Sequence, residues 1–357
     1  MSSREQWLDI TKGFAILLVV IGHVLIGFLT AEMYPQMTNP ISYVVCTLYS
    51  FHMPLFFAIS GYLYGRYEQR ATVEHYYSVA VKKLTRLGIP FLVFSLIQGL
   101  VHIGLNRYTN HTFSPSNLLT MIVSPFDQFW FLYALLAIFL LAPLLELLTK
   151  KDGLVFSILL ALKYLPALLN IHIPLPFFEW FMAYGLYFYA GTFFARHAQD
   201  MLTHKKVLGL GSLVYIALNA WFYSHNPLNW VLGNPSTVWA TTLSVLLAFS
   251  GILFGLFITQ VILMATSWSF NLFNLLGLYS FEIYLLHTLP SAAMRIILQK
   301  FLHTDDFTLH LSLAVLLGII IPVFIGKLAK SNKALEFLFY PGKYLKGKPK
   351  QKPAVTA

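Results

Sequence analysis

Four ionisable side chains stand in stretches that are otherwise apolar: His23, His52, Glu282 and His287. An ionisable group at the centre of a bilayer costs at least about 2.5 kcal/mol on insertion scales, so each is a candidate for function. Imidazole is the usual general base toward a hydroxyl, and a neighbouring carboxylate orients it and raises its basicity. The competing reading for each residue is a hydrogen bond between helices. Lys12 and His23 are eleven residues apart, which on a helix places them on one face, about 16 Å apart along the axis. Lys12 then sits at the mouth of its span and His23 deep within it.

His52 lies at a depth comparable to that of His23, so a hairpin of the first two spans would bring the two imidazoles together. Pro54 follows in SFHMPLFFAISGYLYG, where it frees backbone carbonyls and opens the helix around His52. Ser60 and Gly61 allow close helix approach. In LYSFEIYLLHTLP, Glu282 lies near mid-membrane and His287 about 7 Å further out. Glu282 either orients a histidine as its partner in base catalysis or stays protonated and bonds a neighbouring helix.

Lys82, Lys83 and Arg86 fall on one turn of VKKLTRLGIPF. Three cations there suit the phosphates of a cytosolic ligand, and they equally serve as topology anchors. Asp127 and Trp130 in SPFDQFWFLYALL fall at the outer interface, where a sugar stacks on an aromatic ring and where tryptophan is common in any case. Lys163, within a span, is read as snorkelling to the surface. The one cysteine, Cys46, excludes an intrachain disulfide and is read as packing. No metal site is expected.

The elements that must position these residues are helices in a membrane. The chain is 57% hydrophobic and 11% charged, with a mean hydropathy of +0.68, about half the charge of a soluble domain. Apolar runs long enough to span a bilayer fall near 10–30, 42–64, 88–105, 128–149, 154–172, 178–195, 207–223, 237–259, 272–292 and 309–329. They are too long and continuous for barrel strands. The expected fold is an all-α polytopic bundle of about ten transmembrane helices.

The net charge of +10 argues for orientation, not nucleic acid. With the N-terminus inside, 20 of the 24 lysines and arginines lie on inner segments, so both termini are expected to be cytoplasmic. Residues 1–342 read as one membrane domain. Residues 343–357, KYLKGKPKQKPAVTA, read as a basic, disordered tail that signals topology or touches anionic lipid. The N-terminus lacks a cleavable signal and is read as a retained first span.

Five motifs in order resemble the acyltransferase-3 family of integral-membrane O-acyltransferases, in particular its fucose 4-O-acetylase-like branch. They are REQWLDITKGFAILLVVIGH, SFHMPLFFAISGYLYG, VKKLTRLGIP, FWFLYALL and YSFEIYLLH. The resemblance implies a ten-helix core that passes an acyl group, usually acetyl, from cytosolic coenzyme A to a sugar or lipid-linked glycan hydroxyl. It makes His23 the catalytic histidine, Lys12 its motif partner, and Lys82, Lys83 and Arg86 the side that faces acyl-CoA. Lysine stands at 12, 82 and 83 where the family more often has arginine, and an ammonium does not reproduce the bidentate phosphate contact of a guanidinium.

The expectation is therefore a multi-pass O-acetyltransferase of the cell membrane, in a bacterial plasma membrane. Its catalytic residues are His23 with Glu282, His52 and His287, its acyl-CoA residues Lys12, Lys82, Lys83 and Arg86, and its acceptor residues Asp127 and Trp130. Acetyl-CoA is a co-substrate and no bound cofactor is expected. The partners are the bilayer, acyl-CoA and the glycan acceptor. The rival is a transporter or flippase for a sugar or lipid-linked sugar, using the same buried groups to bind substrate or carry protons. Transporters often carry paired interrupted helices and related halves, and no such pairing is read in this sequence.

Overall fold

A computed structural model describes residues 3–68, 72–108, 112–197, 204–224 and 237–345. Arg70 and the tail from 346 onward lie outside the described residues. Those residues are helical, with no strand among them. In chain order the helices are α1 (Ser3–Thr30), α2 (Thr38–Tyr49), α3 (His52–Tyr67), α4 (Val73–Lys83), α5 (Ile89–Leu105), α6 (Pro115–Thr120), α7 (Trp130–Thr149) and α8 (Asp152–Leu169). There follow α9 (Pro176–His197), α10 (Lys205–Ser224), α11 (Val238–Met264), α12 (Ser267–Leu278), α13 (Ser280–Leu286), α14 (Thr288–Ile296), α15 (Phe307–Ser331) and α16 (Lys333–Phe339).

Among the described residues, seven helical stretches are long and apolar enough to cross a membrane. The three other expected spans fall on α9, on α10 and on the broken run from α12 to α14. Exposed leucine, isoleucine and phenylalanine side chains are spread over the outside of the bundle, among them Leu96, Leu210, Leu316 and Phe324. A helix bundle that turns apolar side chains outward as well as inward is built for lipid. The protein is an all-α, multi-pass membrane protein.

Two expected spans are interrupted, and proline accounts for the position of one break in each. The second divides at Ser50–Phe51, four residues before Pro54, which has no N–H to donate to the carbonyl of Ser50. The ninth divides at Tyr279 and again at His287. Pro290 follows the second of these breaks and supplies no N–H to the carbonyl of Leu286. His52 and His287 stand at these two proline-linked breaks. A further irregularity, the π-helical turn Leu84–Gly88, joins α4 to α5 where Pro90 cannot donate to Arg86. The third span thus runs back to Val73, not 88, and carries Lys82, Lys83 and Arg86 on continuous helix.

Glycines bring the helix backbones together. A side chain at Gly61 would meet the carbonyl of Phe188, and one at Gly191 the carbonyl of Ala58, so α3 and α9 pack backbone to backbone. Gly13 and Gly277 do the same for α1 against α12. Gly61→Val is therefore expected to force α3 from α9 and lower stability by about 1–3 kcal/mol. Thermal unfolding in detergent measures it, and an unchanged midpoint would disprove the contact.

At the end of the bundle where α7 and α9 finish and α8 begins, Arg196 bonds Glu146 (2.7 Å) and Asp152 (3.0 Å). Tyr64 donates to Glu146, and Tyr189 and His197 bond Asp152. This network ties α3, α7, α8 and α9 together at their basic ends. Lys343 and Tyr344, read from sequence as the start of the tail, bond Glu336. Those two bonds hold the Glu336 carboxyl below its usual range.

Candidate active site

The opposite end of the bundle holds a cavity of about 460 Å³ between the last turns of α1 and α5, the start of α7, and α14. His23, Asp127 and Trp130 all line it. Residues from two separate parts of the chain, singled out by type and position, thus share one space.

His23 is half-buried on the wall of the cavity. Its Nδ1–H donates to the carbonyl of Val19 at 3.0 Å. A carbonyl only accepts, so the proton sits on Nδ1 and the Nε2 lone pair is left for the cavity. His287 packs beside it, ring centroids 4.9 Å apart, and Tyr49 lies between His23 (6.1 Å) and His52 (4.6 Å). The hairpin of the first two spans thus sets Tyr49 between His23 and His52, and His287 joins them from the ninth span.

His52 and His287 repeat the tautomer pattern of His23. The Nδ1 of His52 bonds Leu48, and that of His287 bonds Ile283 and Tyr284. Both are fully buried, and the Nε2 of each lacks a partner. Leaving such an atom unsatisfied costs about 1–3 kcal/mol, a cost that marks a functional region more often than an idle one. Neither residue lines the cavity, so of these three imidazoles only that of His23 meets its contents.

Glu282 stands elsewhere. Its Oε1 accepts from Tyr340 at 2.7 Å and its Oε2 is buried without a partner. The structure does not bring it to a histidine; of the two roles open from sequence, the contact it makes is the bond to a neighbouring segment. The physical reason is the five-residue separation, about 140° around the helix axis, which places Glu282 on the Tyr340 side and His287 toward His23.

Asp127 instead meets a histidine the sequence reading passed over. His102 Nε2 bonds its carboxylate at 2.8 Å and the Gln98 amide donates at 2.6 Å. Gln98 also accepts from Thr288 and pairs with Gln128. Asp127 holds a left-handed backbone (φ 49°), a strained conformation for a non-glycine residue that these side-chain bonds help to fix. Gln98 and His102 sit four apart in the apolar run FSLIQGLVHIGL, a spacing that puts two polar groups on one helix face. Arg295, placed by sequence in an outer loop, lies on α14, buried, donates to Gly27 and lines the same cavity.

Trp130 forms the aromatic wall, 5.7 Å from Trp180 and 5.3 Å from Tyr184. Carboxylate, amide, guanidinium and a flat ring around an imidazole lone pair suit a polyhydroxylated guest: the polar groups bond hydroxyls and the ring takes an apolar sugar face.

The four residues assigned to acyl-CoA divide. Arg86 lines a second cavity of about 340 Å³ at the basic end, together with Tyr340 and Lys343. Lys82 is exposed and 3.9 Å from Glu68. Lys83 turns inward over the ring of Phe139 (3.7 Å), and Lys12 pairs with Asp9 one turn back on its own helix. Arg86 is thus placed to meet a ligand from that end, Lys82 is exposed beside Glu68, and Lys83 and Lys12 are turned to partners of their own.

The fold and cavity define a polytopic membrane protein that holds a histidine at a cavity inside its bundle. The chain belongs to the acyltransferase-3 family, whose model, described as an acyltransferase domain, matches residues 5–327. It is 32% identical to nodulation protein NolL of Sinorhizobium fredii over 216 residues, 58% of this chain and 54% of that protein. It is 42% identical to inner membrane protein YcfT of Escherichia coli over 78 residues, 19% of this chain and 20% of that protein. The match thus spans about half the length of the first relative and a fifth of the second. No solved structure matches.

Proposed function

We propose that this protein is a membrane O-acyltransferase that moves an acyl group, acetyl in the reading its motifs favour, from cytosolic acyl-CoA to a sugar or cell-envelope glycan hydroxyl. The observation that carries the reading is the Nε2 lone pair of His23, left for a cavity lined by Asp127, Gln98, His102 and Trp130. In the proposed step Nε2 takes the hydroxyl proton as the acceptor oxygen adds to the thioester carbonyl. The tetrahedral intermediate collapses, the carbon–sulfur bond breaks, and the imidazolium returns the proton to the departing thiolate. Arg295 on the same cavity supplies fixed positive charge for the transient oxyanion. The phosphates of the donor belong at the basic end, beside Arg86 and Lys343.

The two interrupted spans support the transport reading as well, because broken helices around buried polar groups also build carrier sites. One experiment separates the two. Membranes carrying the protein, given acetyl-CoA labelled in the acetyl group and envelope glycolipids, are expected to place label in the glycolipid fraction. No transfer with a suitable acceptor pool would move the assignment to the transporter.

A further inference from the structure

A cavity of about 270 Å³, separate from the two above, opens between the end of α8, the turn after it, the first turns of α9 and the start of α11. Lys163, Asn170, His172, Glu179 and Thr241 are its polar lining. From sequence Lys163 reads as a snorkelling lysine, and the structure shows a different orientation. Lys163 lies six residues below the end of α8 and Ala183 seven residues into α9, each about 10 Å from the surface end of its helix. The ammonium donates sideways to the Ala183 carbonyl at 3.0 Å, not upward toward water. Its remaining neighbours are the faces of Tyr187 (5.6 Å) and Tyr184 (5.9 Å). It forms no ion pair with Glu179, although both line the cavity.

A lysine held at this depth with one carbonyl acceptor has donors left for a guest, and the guest that balances it is an anion. Glu179 on the same lining repels further negative charge, which favours a group of single negative charge over a polyanion. The surroundings say where that group comes from. Leu168, Leu169, Leu175 and Phe178, adjacent in sequence to the lining residues, are exposed, and Ile171 both lines the cavity and is exposed. Such side chains face acyl chains, so the anion arrives on a membrane amphiphile. We propose that the Lys163 cavity binds the phosphodiester headgroup of a membrane amphiphile.

The site does not rest on acyl transfer, yet it bears on it. Tyr184 touches Trp130 on one side and faces Lys163 on the other. A lipid-linked acceptor seated by its phosphate at Lys163 would therefore meet, through this aromatic wall, the cavity that holds His23.

The test is lipid binding by the purified full-length protein in neutral detergent, read as a shift in thermal midpoint. The probes are dioctanoyl phosphatidylglycerol, dioctanoylglycerol without the phosphate, and glycerophosphoglycerol without the acyl chains. The phosphatidylglycerol is expected to raise the midpoint of the wild type and of His23→Ala alike, and the other two to do so at least about tenfold more weakly in concentration. Lys163→Met is expected to lose the response and Lys163→Arg to keep it. An equal response in Lys163→Met, or to dioctanoylglycerol, overturns the site; an equal response to glycerophosphoglycerol overturns the amphiphile. In the label-transfer assay, a raised acceptor KM at unchanged kcat in Lys163→Met identifies the amphiphile as the acceptor. Unchanged KM with lost lipid binding identifies a bilayer phospholipid. Because binding is read without acyl-CoA, a failed transfer assay leaves this result standing.

Discussion

Replacing His23 by alanine is expected to lower acyl transfer by about 10²- to 10⁴-fold, the usual contribution of a positioned general base. The folded protein should hardly notice. His23 is half-buried at the cavity wall, and its one hydrogen bond is to a carbonyl within its own helix. Truncation removes ring contacts to His287 and Tyr49 but leaves no charge stranded. The decisive comparison is therefore between variants expressed equally in the same membranes. His23→Gln should be as inactive as alanine, because an amide fills the space and bonds the acceptor without taking a proton at neutral pH. Transfer that survives either substitution would leave the enzyme standing and remove His23 as its base. His52 and His287 cannot readily stand in, since they are fully buried and do not line the cavity, and the Nε2 of His102, which does line it, already bonds the Asp127 carboxylate.

The largest effect on stability is expected at the other end of the bundle. Arg196→Leu leaves Glu146 and Asp152, whose side chains are 4% and 6% exposed, without their guanidinium. Removing one member of a buried ionic network costs about 3–5 kcal/mol, most of it the penalty of an uncompensated buried charge. The thermal midpoint in detergent should fall accordingly. If that is the cause, adding Glu146→Gln to Arg196→Leu should recover part of the loss, since it removes a stranded carboxylate. A double variant as unstable as the sum of the two singles would show that packing, not charge, set the penalty.

Much of the site was legible because the membrane makes polar residues conspicuous. His23, Asp127 and Trp130 stood out by type and depth alone, and they line one cavity. Gln98 and His102 carried the same kind of signal, a polar pair at helical spacing in an apolar run. Arg295 was hidden by a boundary: the ninth span read as ending at 292, whereas α14 continues to Ile296. Glu282 shows the opposite limit. Its depth was readable, but its partner, Tyr340, is 58 residues away and follows α16, a short helix beyond the last span.

By itself the sequence determined that the chain is a helical membrane protein and that histidines sit within its apolar runs. A bilayer allows few alternatives for an apolar run of such length, so composition and period suffice. Partnership was decided only by the tertiary structure. Which way Lys163 turns, which carboxylate meets His102, and which of three imidazoles reaches a cavity depend on helix rotation and on breaks at Ser50–Phe51, Tyr279 and His287. Those are fixed by the close backbone packing of glycine-bearing helices and by proline's missing hydrogen bonds, acting between segments far apart in the chain.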